Sequence, residues 1–443
     1  MRDNEGLRRR RLLRLCAVVG GIGVAGCVED EEPTDGSDDG NDTQNGGQEQ
    51  EPEEGDEDGG EETDAEEPQE EEFDAGEPYD DEIQITETDW TTFAYDRANT
   101  GVNPATGSPS SFGEVWDEPF ETEYQVVSSP AVADGVVYFG DGLQTDAVGS
   151  LYAIDAETGE EFREPYDVGA NVRTTPAVTT STVYFTSEEP ALYALNVATG
   201  EQRWKTDLDG RRDPTSPVVV DEIVYAVGDR AVHAVGAYSG MVKWETEPGG
   251  RVQTSPAYDD GRVFVGGTDN KVHAIDAETG EPLWEYETEG FVESDPTVAG
   301  GVVYVGSWDN NVYALDAETG EEVWNEPFET AGVVESSPAV DDNVVYVGSD
   351  DENVYAVDAD DGEELWSFGT EDRVRTAIAA TDSSVYVASD DGYVYALDTA
   401  DGTIIAERDV HEILDVSART ITDAVVSDGT VYVGAGFGVV ALD

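Results

Sequence analysis

The sequence predicts an all-β protein, an eight-bladed β-propeller of four-stranded antiparallel blades whose ring is closed by an N-terminal strand. A pattern marked by one aromatic residue recurs eight times, at intervals of 39 to 46 residues, a period typical of propeller blades. The aromatic markers are Tyr138, Tyr184, Tyr225, Phe264, Tyr304, Tyr346, Tyr386 and Tyr432. Within each copy, short β-branched and aromatic runs are separated by Asp/Gly turns, which indicates strands rather than helices.

One copy illustrates the four strands, which we place near residues 337–340, 344–347, 354–357 and 364–368. Asp, Asn and Gly occupy the turns between them, as expected where the backbone must reverse direction. Six copies also carry a proline eight residues before the aromatic marker, namely Pro130, Pro176, Pro217, Pro256, Pro296 and Pro338. Ile378 and Ala424 take that place in the last two copies.

The fourth strand of most copies carries an aromatic residue, from which we predict packing between neighbouring blades. These residues are Trp116, Phe162, Trp204, Trp244, Trp284, Trp324 and Trp366, with Ile404 or Ile405 in the last place. Trp116 precedes the first complete set of inner strands, whereas Asp443 follows a third strand. Because an unpaired strand edge invites aggregation, we predict that the segment around Trp116 completes the last blade.

Charge excludes several classes of partner. The chain of 443 residues carries a net charge of -79, so neither nucleic acid nor an anionic membrane surface attracts it. Such a charge repels itself in dilute buffer and is screened in molar salt, where the Debye length falls to about 3 Å; we therefore infer a halophilic protein. Both cysteines, Cys16 and Cys27, precede the repeats, so the propeller has no cysteine for a disulfide, a metal or catalysis.

Residues 1–27 are interpreted as an export signal. Arg9 and Arg10 resemble a twin-arginine signal, and the apolar run at residues 15–24 is too short for a permanent membrane span. Residues 24–27, Val-Ala-Gly-Cys, resemble a lipobox, which predicts lipid attachment at Cys27 and anchoring to the outer face of the cytoplasmic membrane. A plain secretory signal in which Cys27 is incidental is the alternative.

Residues 28–88 are predicted to be a disordered acidic tether, and residues 89–443 the propeller. Acids fill 28 of the 55 positions between residues 28 and 82, and no basic residue occurs there. Such a segment repels itself and cannot bury a core. Its predicted role is to hold the propeller away from the membrane.

The repeats resemble a known family. The sequence Ala-x-Thr-Gly-Glu-x-x-Trp at residues 277–284 resembles, in part or whole in most copies, the tryptophan-docking repeat of the pyrroloquinoline-quinone-type, or quinoprotein-like, propellers. Residues 90–116 are similar to the strand that opens such domains. The resemblance covers residues 89–443 and implies that Trp116, Trp204, Trp244, Trp284, Trp324 and Trp366 dock between blades.

The resemblance implies two possible functions. One branch of the family contains quinone-dependent dehydrogenases with an adjacent cysteine pair, a calcium site and a catalytic Asp; the other contains non-catalytic lipoproteins similar to BamB, which bind protein partners. The propeller lacks cysteine and long insertions, which favours a monomeric, non-catalytic binding or scaffolding module without a cofactor. A PQQ-dependent oxidoreductase using the quinone and calcium is the alternative, and no catalytic residue is assigned.

The candidate binding residues are basic. The links from the fourth strand of one blade to the first strand of the next share one face of a propeller, and seven arginines fall in them: Arg173, Arg211, Arg212, Arg251, Arg373, Arg375 and Arg419. Guanidinium groups around a funnel suit capture of a carboxylate or phosphate, from a small anion or a protein partner. Alternatively each arginine pairs with a local acid, and the binding surface lies around Trp308.

The three histidines and the acidic turns are weaker candidates. His233 and His273 occupy a repeat position filled elsewhere by Tyr, so we interpret them as packing residues, and His411 lies in a long link without a partner in sequence. Residues 307–311 and 349–353 carry oxygen side chains but lack EF-hand spacing. We interpret them as turn residues and predict no metal site.

Overall fold

The structure is a computed structural model that describes residues 73–79, 84–86, 89, 91–104, 111–142, 148–208, 210, 215–414 and 421–443. In these ranges the strands form eight antiparallel sheets, and the described chain has one short helix, α1 (Val410–Leu414). The predicted all-β, eight-bladed propeller is confirmed.

The first four blades are built from consecutive segments. Blade 1 contains β3 (Ala131–Ala133), β4 (Val136–Gly142), β5 (Ser150–Asp155) and β6 (Tyr166–Asp167), and β2 (Gln125–Val126) also pairs with β4. Blade 2 contains β7 (Ala177–Val178), β8 (Thr182–Ser187), β9 (Ala191–Asn196) and β10 (Gln202–Asp207). Blade 3 contains β11 (Val218–Val220), β12 (Ile223–Gly228), β13 (Ala231–Gly236) and β14 (Val242–Thr246). Blade 4 contains β15 (Ala257–Asp259), β16 (Arg262–Gly266), β17 (Lys271–Asp276) and β18 (Pro282–Glu287).

The remaining blades continue the pattern, except that blade 8 takes its outer strand from the N-terminal part of the chain. Blade 5 contains β19 (Thr297–Ala299), β20 (Val302–Gly306), β21 (Asn311–Asp316) and β22 (Phe328–Glu329). Blade 6 contains β23 (Ala339–Asp341), β24 (Val344–Gly348), β25 (Asn353–Asp358) and β26 (Glu364–Gly369). Blade 7 contains β27 (Ala379–Ala380), β28 (Ser384–Ala388), β29 (Tyr393–Asp398) and β30 (Ile404–Asp409). Blade 8 contains β31 (Val425–Ser427), β32 (Thr430–Ala435), β33 (Gly438–Leu442) and β1 (Phe120–Glu121).

The core lies between neighbouring blades. One apolar cluster, for example, combines Phe264 of blade 4 with Val303 and Val305 of blade 5, and all three are fully buried. The middle strands of each blade are buried on both faces, which is why their sequences are nearly continuous apolar runs. Burying each large side chain contributes about 1.5–3 kcal/mol, so the blade-to-blade layers supply most of the stabilisation.

Each of the six docking tryptophans donates a hydrogen bond to the next blade. The Nε1–H groups of Trp116, Trp204, Trp244, Trp284, Trp324 and Trp366 donate to the carbonyl oxygens of Ala156, Ala237, Ala277, Ala317, Ala359 and Thr399 over 2.9–3.1 Å. The indole also covers a turn glycine of that blade. Gly280 has a φ of +76°, and a Cβ there would lie 2.8 Å from Cδ2 of Trp244. The Thr-Gly turn and the tryptophan therefore belong to one interlocking contact.

Two blades use other residues at this position, contrary to the expectation for Phe162, Ile404 and Ile405. Trp204, Trp244, Trp284, Trp324 and Trp366 each stand four residues after a turn glycine, and in blades 1 and 7 Arg163 and Ala406 have that spacing. Arg163 lies 5.5 Å from the ring centroid of Tyr138 and donates to the carbonyl of Val197 in blade 2. Phe162, in a bend before β6, and Ile404 and Ile405, at the start of β30, are exposed.

The N-terminal part of the described chain pairs with blade 8. Gly113 and Asp443 exchange two backbone hydrogen bonds of 3.0 Å, and the N–H of Val115 donates to the carbonyl of Ala441. β1 then continues the pairing, with Phe120 opposite Val439. Blade 8 thus has four strands, and its outer edge is built from residues far away in sequence.

Residues 91–104 cross the inner strands of six blades. The carbonyls of Thr91, Arg97, Ala98, Thr100 and Gly101 accept backbone hydrogen bonds from Val178, Tyr258, Val298, Val340 and Ala380, and the Asn103 side chain donates to Val426. Phe93 is buried against Ala377. This segment therefore blocks the central channel and ties blades 2, 4, 5, 6, 7 and 8 together.

Residues 73–79, within the stretch predicted to be tether, contact blade 3 at the turn formed by residues 236–241. Phe73 and Tyr79 are partly buried there. These two aromatic rings supply the apolar part of the contact. The export signal and most of the predicted tether lie outside the described residues.

Candidate functional site

The candidate site lies on the face formed by the links between blades and by the second-to-third-strand turns, here called the link face. A depression of about 340 Å³ opens there at the propeller axis. Phe93, from the segment that blocks the channel, is one of its lining residues, and the others come mainly from the links. Each link approaches the axis because the strand that follows it, the first of the next blade, is the innermost strand of that blade.

A ring of small polar side chains surrounds the axis, and sequence reasoning missed it. Seven members stand directly before the proline marker or its replacement, namely Ser129, Thr175, Ser216, Ser255, Asp295, Ser337 and Asp423, and Ala377 holds that place in blade 7. Backbone N–H groups donate from one blade to the side chain of the next, as from Thr175 to Ser216 (2.9 Å) and from Ser216 to Ser255 (3.1 Å). The recurrence of Ser before Pro was the signal that could have revealed it.

Two members of this ring are carboxylates. Asp295 accepts hydrogen bonds from the N–H of Ser255 and from Ser337 Oγ (3.2 Å), and Asp423 accepts from Ser129 Oγ (2.6 Å) and from the N–H of Ala377 (2.8 Å). Burial at the axis raises the pKa of Asp295 to about 7, and the charge of Asp423 contributes in the same direction. Burial also raises the pKa of Asp423. The axis therefore carries a carboxyl group that exchanges its proton near neutral pH.

The predicted arginines in the described part of the chain are each paired with carboxylates. Arg375 donates from Nε and from its second terminal nitrogen to the two oxygens of Asp350, both over 2.6 Å, and also pairs with Glu335 at 3.3 Å. Arg373 lies 4.0 Å from Asp350. Arg173 pairs with Glu188 at 3.3 Å and Arg251 with Asp229 at 2.8 Å. Arg211, Arg212 and Arg419 lie outside the described residues.

Trp308 lies on the link face, in the turn between β20 and β21 of blade 5. Its side chain is 41% exposed and packs on Phe291, itself 39% exposed, with ring centroids 5.6 Å apart. Asp350 and Asp390 hold the same turn position in blades 6 and 7. Burial raises the pKa of neighbouring Glu293, and Glu335 raises it further, while a hydrogen bond from Trp308 lowers it. An exposed aromatic pair thus stands among carboxylates.

The histidines lie away from this depression, since none of the three is among the described residues that line it. His273 bonds Asp269 over 3.0 Å, as Tyr313 bonds Asp309 over 2.8 Å in the next blade. His233 is buried and lies 3.8 Å from Glu245. His411 belongs to α1 and lies against Gly392.

The residues of the depression do not fit the quinone and calcium of the alternative function. Calcium takes six to eight oxygen ligands. No group of three or more His, Cys, Asp or Glu in the described ranges is placed to hold a metal ion. The ring carboxylates already accept hydrogen bonds from protein groups, and Phe93 is the one aromatic residue among the described residues lining the depression. We derive no reaction step through a quinone.

These features define the protein as an eight-bladed β-propeller whose blades are joined by docked tryptophans. The family described as outer membrane protein assembly factor BamB matches residues 101–228, 147–250, 228–338 and 309–443. The matches span most of the chain, and the chain belongs to this family. No curated protein matches it. Among the described residues, no helix has the length and apolar character needed to cross a membrane.

Solved structures with the same fold have different functions. BamB from Moraxella catarrhalis is 20% identical, with a TM-score of 0.56 over 75% of this chain and 97% of that one. Quinohemoprotein alcohol dehydrogenase from Comamonas testosteroni is 15% identical, with a TM-score of 0.66 over 80% of both chains. The computationally designed protein Ika8 is 19% identical, with a TM-score of 0.62 over 74% of this chain and 99% of that one. At these identities the likeness concerns the fold, which is compatible with binding and with dehydrogenation.

Proposed function

We propose that the protein is a non-catalytic binding or scaffolding module, anchored by lipid at Cys27 to the outer face of the cytoplasmic membrane, whose link face binds a protein partner. The observation that carries the proposal is the exposed pair of Trp308 and Phe291, in which Trp308 hydrogen-bonds to Glu293, a residue that lines the axial depression. Tryptophan is among the residues that most often dominate the binding energy of protein interfaces.

The charge of the link face favours a partner with a basic segment. Arg173 and Arg375 are already engaged by carboxylates, so a small anion would have to compete with Glu188 and Asp350 for them. Glu293 and Asp390 line the same depression. A basic side chain of the partner would complement these carboxylates, which supports a protein partner over the small anionic ligand.

The aromatic pair matters most at high salt. In molar salt the Debye length is about 3 Å, so long-range attraction between the acidic propeller and a basic partner is screened. Contact between apolar surfaces is not screened in this way. We therefore place the largest share of the binding energy on Trp308 and Phe291.

The test compares full-length variants as baits for proteins from membranes of the native source, quantified by mass spectrometry. Trp308→Ala should reduce capture of the specific, basic partner at least about tenfold, the loss of roughly 1.4 kcal/mol. Leu365→Ala is the matched control, because Leu365 is 51% exposed on the fourth strand of blade 6. Equal capture by wild type, Trp308→Ala and Leu365→Ala would overturn the proposal, as would a bound quinone in the absorbance spectrum of native protein.

The anchor has a separate test, which does not depend on the partner. Cys27→Ser should release the protein into the medium, because no other attachment to the membrane is proposed. Equal retention of wild type and variant in the detergent phase would overturn lipid attachment and leave the binding proposal intact.

A further inference from the structure

The turn between β13 and β14 of blade 3 holds residues 73–79 by main-chain hydrogen bonds. The carbonyl oxygen of Ala75 accepts from the N–H groups of Tyr238 (3.1 Å) and Ser239 (2.8 Å). Ser239 Oγ donates to the carbonyl of Asp74 over 3.0 Å. The hydroxyl of Tyr79 donates to the carbonyl of Tyr238 over 2.8 Å. The turn and the segment thus both contribute specific hydrogen-bonding groups to the contact.

Blade 3 departs from the repeat at this point. In the equivalent turns of blades 1, 2 and 4 to 7, the first residue is Asp155, Asn196, Asp276, Asp316, Asp358 or Asp398. Its side chain caps the turn, as Asp276 Oδ1 does by accepting from the N–H groups of Glu278 (3.1 Å) and Thr279 (2.8 Å). Gly236 has this place in blade 3, and it has no side chain to accept.

The carbonyl oxygen of Ala75 therefore replaces the missing carboxylate. The two N–H groups from which it accepts, those of Tyr238 and Ser239, correspond to the two that Asp276 caps in blade 4. Space requires glycine as well. A Cβ on Gly236 would lie 3.0 Å from the Cα of Ala75, and a Cβ on Gly76 would lie 2.8 Å from the nitrogen of Ser239. The turn and the segment are small at the points where they meet.

Aromatic and basic side chains complete the contact. Tyr79 packs edge-on against Tyr238 with ring centroids 5.7 Å apart, and the guanidinium of Arg203 lies 3.4 Å from the centroid of Tyr79. The ammonium of Lys243 lies 5.8 Å from the centroid of Phe73. Such cation–π contacts stabilise by about 0.5–1 kcal/mol each at exposed sites. Lys243 is one of only three lysines in the sequence.

We propose that the blade 3 turn is a dedicated peptide-binding site whose ligand is the chain's own segment 73–79. The ligand class is an extended peptide with a small residue followed by glycine, and a tyrosine four residues after the carbonyl that caps the turn. Third-to-fourth-strand turns lie on the face opposite the link face, so segment 73–79 binds on that opposite face. The site is independent of what binds at Trp308.

Chymotrypsin tests this in the full-length protein, under salt conditions in which it is folded. The rates of cleavage after Phe73 and Tyr79, followed by mass spectrometry, report how often the segment leaves its site, because proteolysis tracks the open population. Gly236→Asp restores a self-capped turn and displaces Ala75, so cleavage should accelerate about tenfold or more, with an unchanged thermal midpoint. Gly300→Asp is the matched control. No atom approaches a Cβ at Gly300, and Asp134, Asp260 and Asp428 hold the corresponding place in other blades.

Tyr79→Ser leaves the propeller itself unaltered and should accelerate cleavage after Phe73 even if Gly236→Asp fails to fold. Equal cleavage rates in wild type and Tyr79→Ser would overturn the proposal, as would equal rates in wild type and a folded Gly236→Asp. Protection that is independent of protein concentration supports binding within one chain. Protection that disappears on dilution would assign the ligand to a second copy and overturn the intramolecular site.

Discussion

Blades 4 to 6 and the seam formed by blades 7, 8 and 1 are held together differently. The turns of regular blades 4, 5 and 6 receive Trp244, Trp284 and Trp324, each from the preceding blade. At the seam, Ala406 stands where blade 7 would carry its tryptophan, and blade 8 is completed by β1. The comparison teaches that a repeat stabilises itself through identical neighbour contacts, whereas the place where the ring closes needs contacts between distant parts of the chain.

Asp423 and residues 91–104 compensate for what the seam lacks. Asp423 of blade 8 accepts from Ser129, which leads into blade 1, and from the N–H of Ala377, which leads into blade 7. Gly101 and Asn103 bond to blade 7, and the Asn103 side chain reaches blade 8. The Asp423 side chain thus joins blades 7, 8 and 1 at the axis, and residues 101–103 join blades 7 and 8 there.

The largest effect is expected from removing these seam contacts. Deletion of residues 89–120 removes the segment that crosses six blades and the strand that pairs with Asp443, exposing an unpaired edge. We expect aggregation instead of a cooperative melt, measured by size-exclusion chromatography and circular dichroism. Deletion of residues 29–72, which spares every described residue, should leave the thermal midpoint unchanged. A soluble, cooperatively melting product of the first deletion would contradict closure of the ring by this segment.

A smaller effect distinguishes the docking position from its neighbour in the fourth strand. Trp324 is 3% exposed, and Trp324→Ala should lower the free energy of unfolding by about 3–5 kcal/mol, the usual cost of emptying a buried tryptophan site. Phe162 is 50% exposed, and Phe162→Ala should change the free energy by no more than about 0.5 kcal/mol. Urea denaturation in molar salt measures both. Similar losses of unfolding free energy in the two variants would show that side-chain exposure does not distinguish the docking residue from its neighbour.

A third effect, which depends on pH, concerns the axial carboxylates, which occur in both regions. Because burial raises the pKa of Asp295 from 3.8 to about 7, the folded protein binds more protons than the unfolded chain between these values, and stability falls as the pH rises through them. Asp295→Asn should remove this fall, so its thermal midpoint should gain on that of wild type from acid to neutral pH.

Asp276→Asn serves as the control of opposite sign. Hydrogen bonds from Thr279 lower the pKa of Asp276, so its contribution is present at neutral pH and is lost as the pH falls. The midpoint of this variant should approach that of wild type in acid. If Asp295→Asn behaved in the same way, the axial carboxyl would be ionised throughout and our account of the ring would be wrong.

Most of the architecture follows from the sequence, because repetition displays each constraint several times. The period predicts blades, the Asp/Gly turns predict strand ends, and the glycine-to-tryptophan spacing of four residues identifies the contact between blades. The same spacing, applied to Gly159 and Gly402, would have selected Arg163 and Ala406 in place of Phe162 and the isoleucines. Register thus locates the docking position, whereas aromatic or apolar character alone does not.

The candidate site was less predictable. The arginines and Trp308 are visible in the sequence as departures from an acidic repeat, but their partners are not: Asp350 lies 25 residues before Arg375, in a different turn. The polar ring around the axis joins residues about 40 positions apart. Pairing of charges and polar groups depends on which side chains the ring of blades brings together, and one sequence does not contain those distances.

The sequence by itself determined the number of blades, their strands and the acidic character of the whole, since these depend on local patterns that recur in register. Only the tertiary structure decided that Asp423 joins blades 7, 8 and 1 and that residues 91–104 block the channel. It also decided that Ala75 caps the blade 3 turn, in which Gly236 supplies no capping side chain. Each of these joins residues that are far apart in sequence. The contacts at the axis exist only once the ring has closed, because closure brings the first and last parts of the chain together.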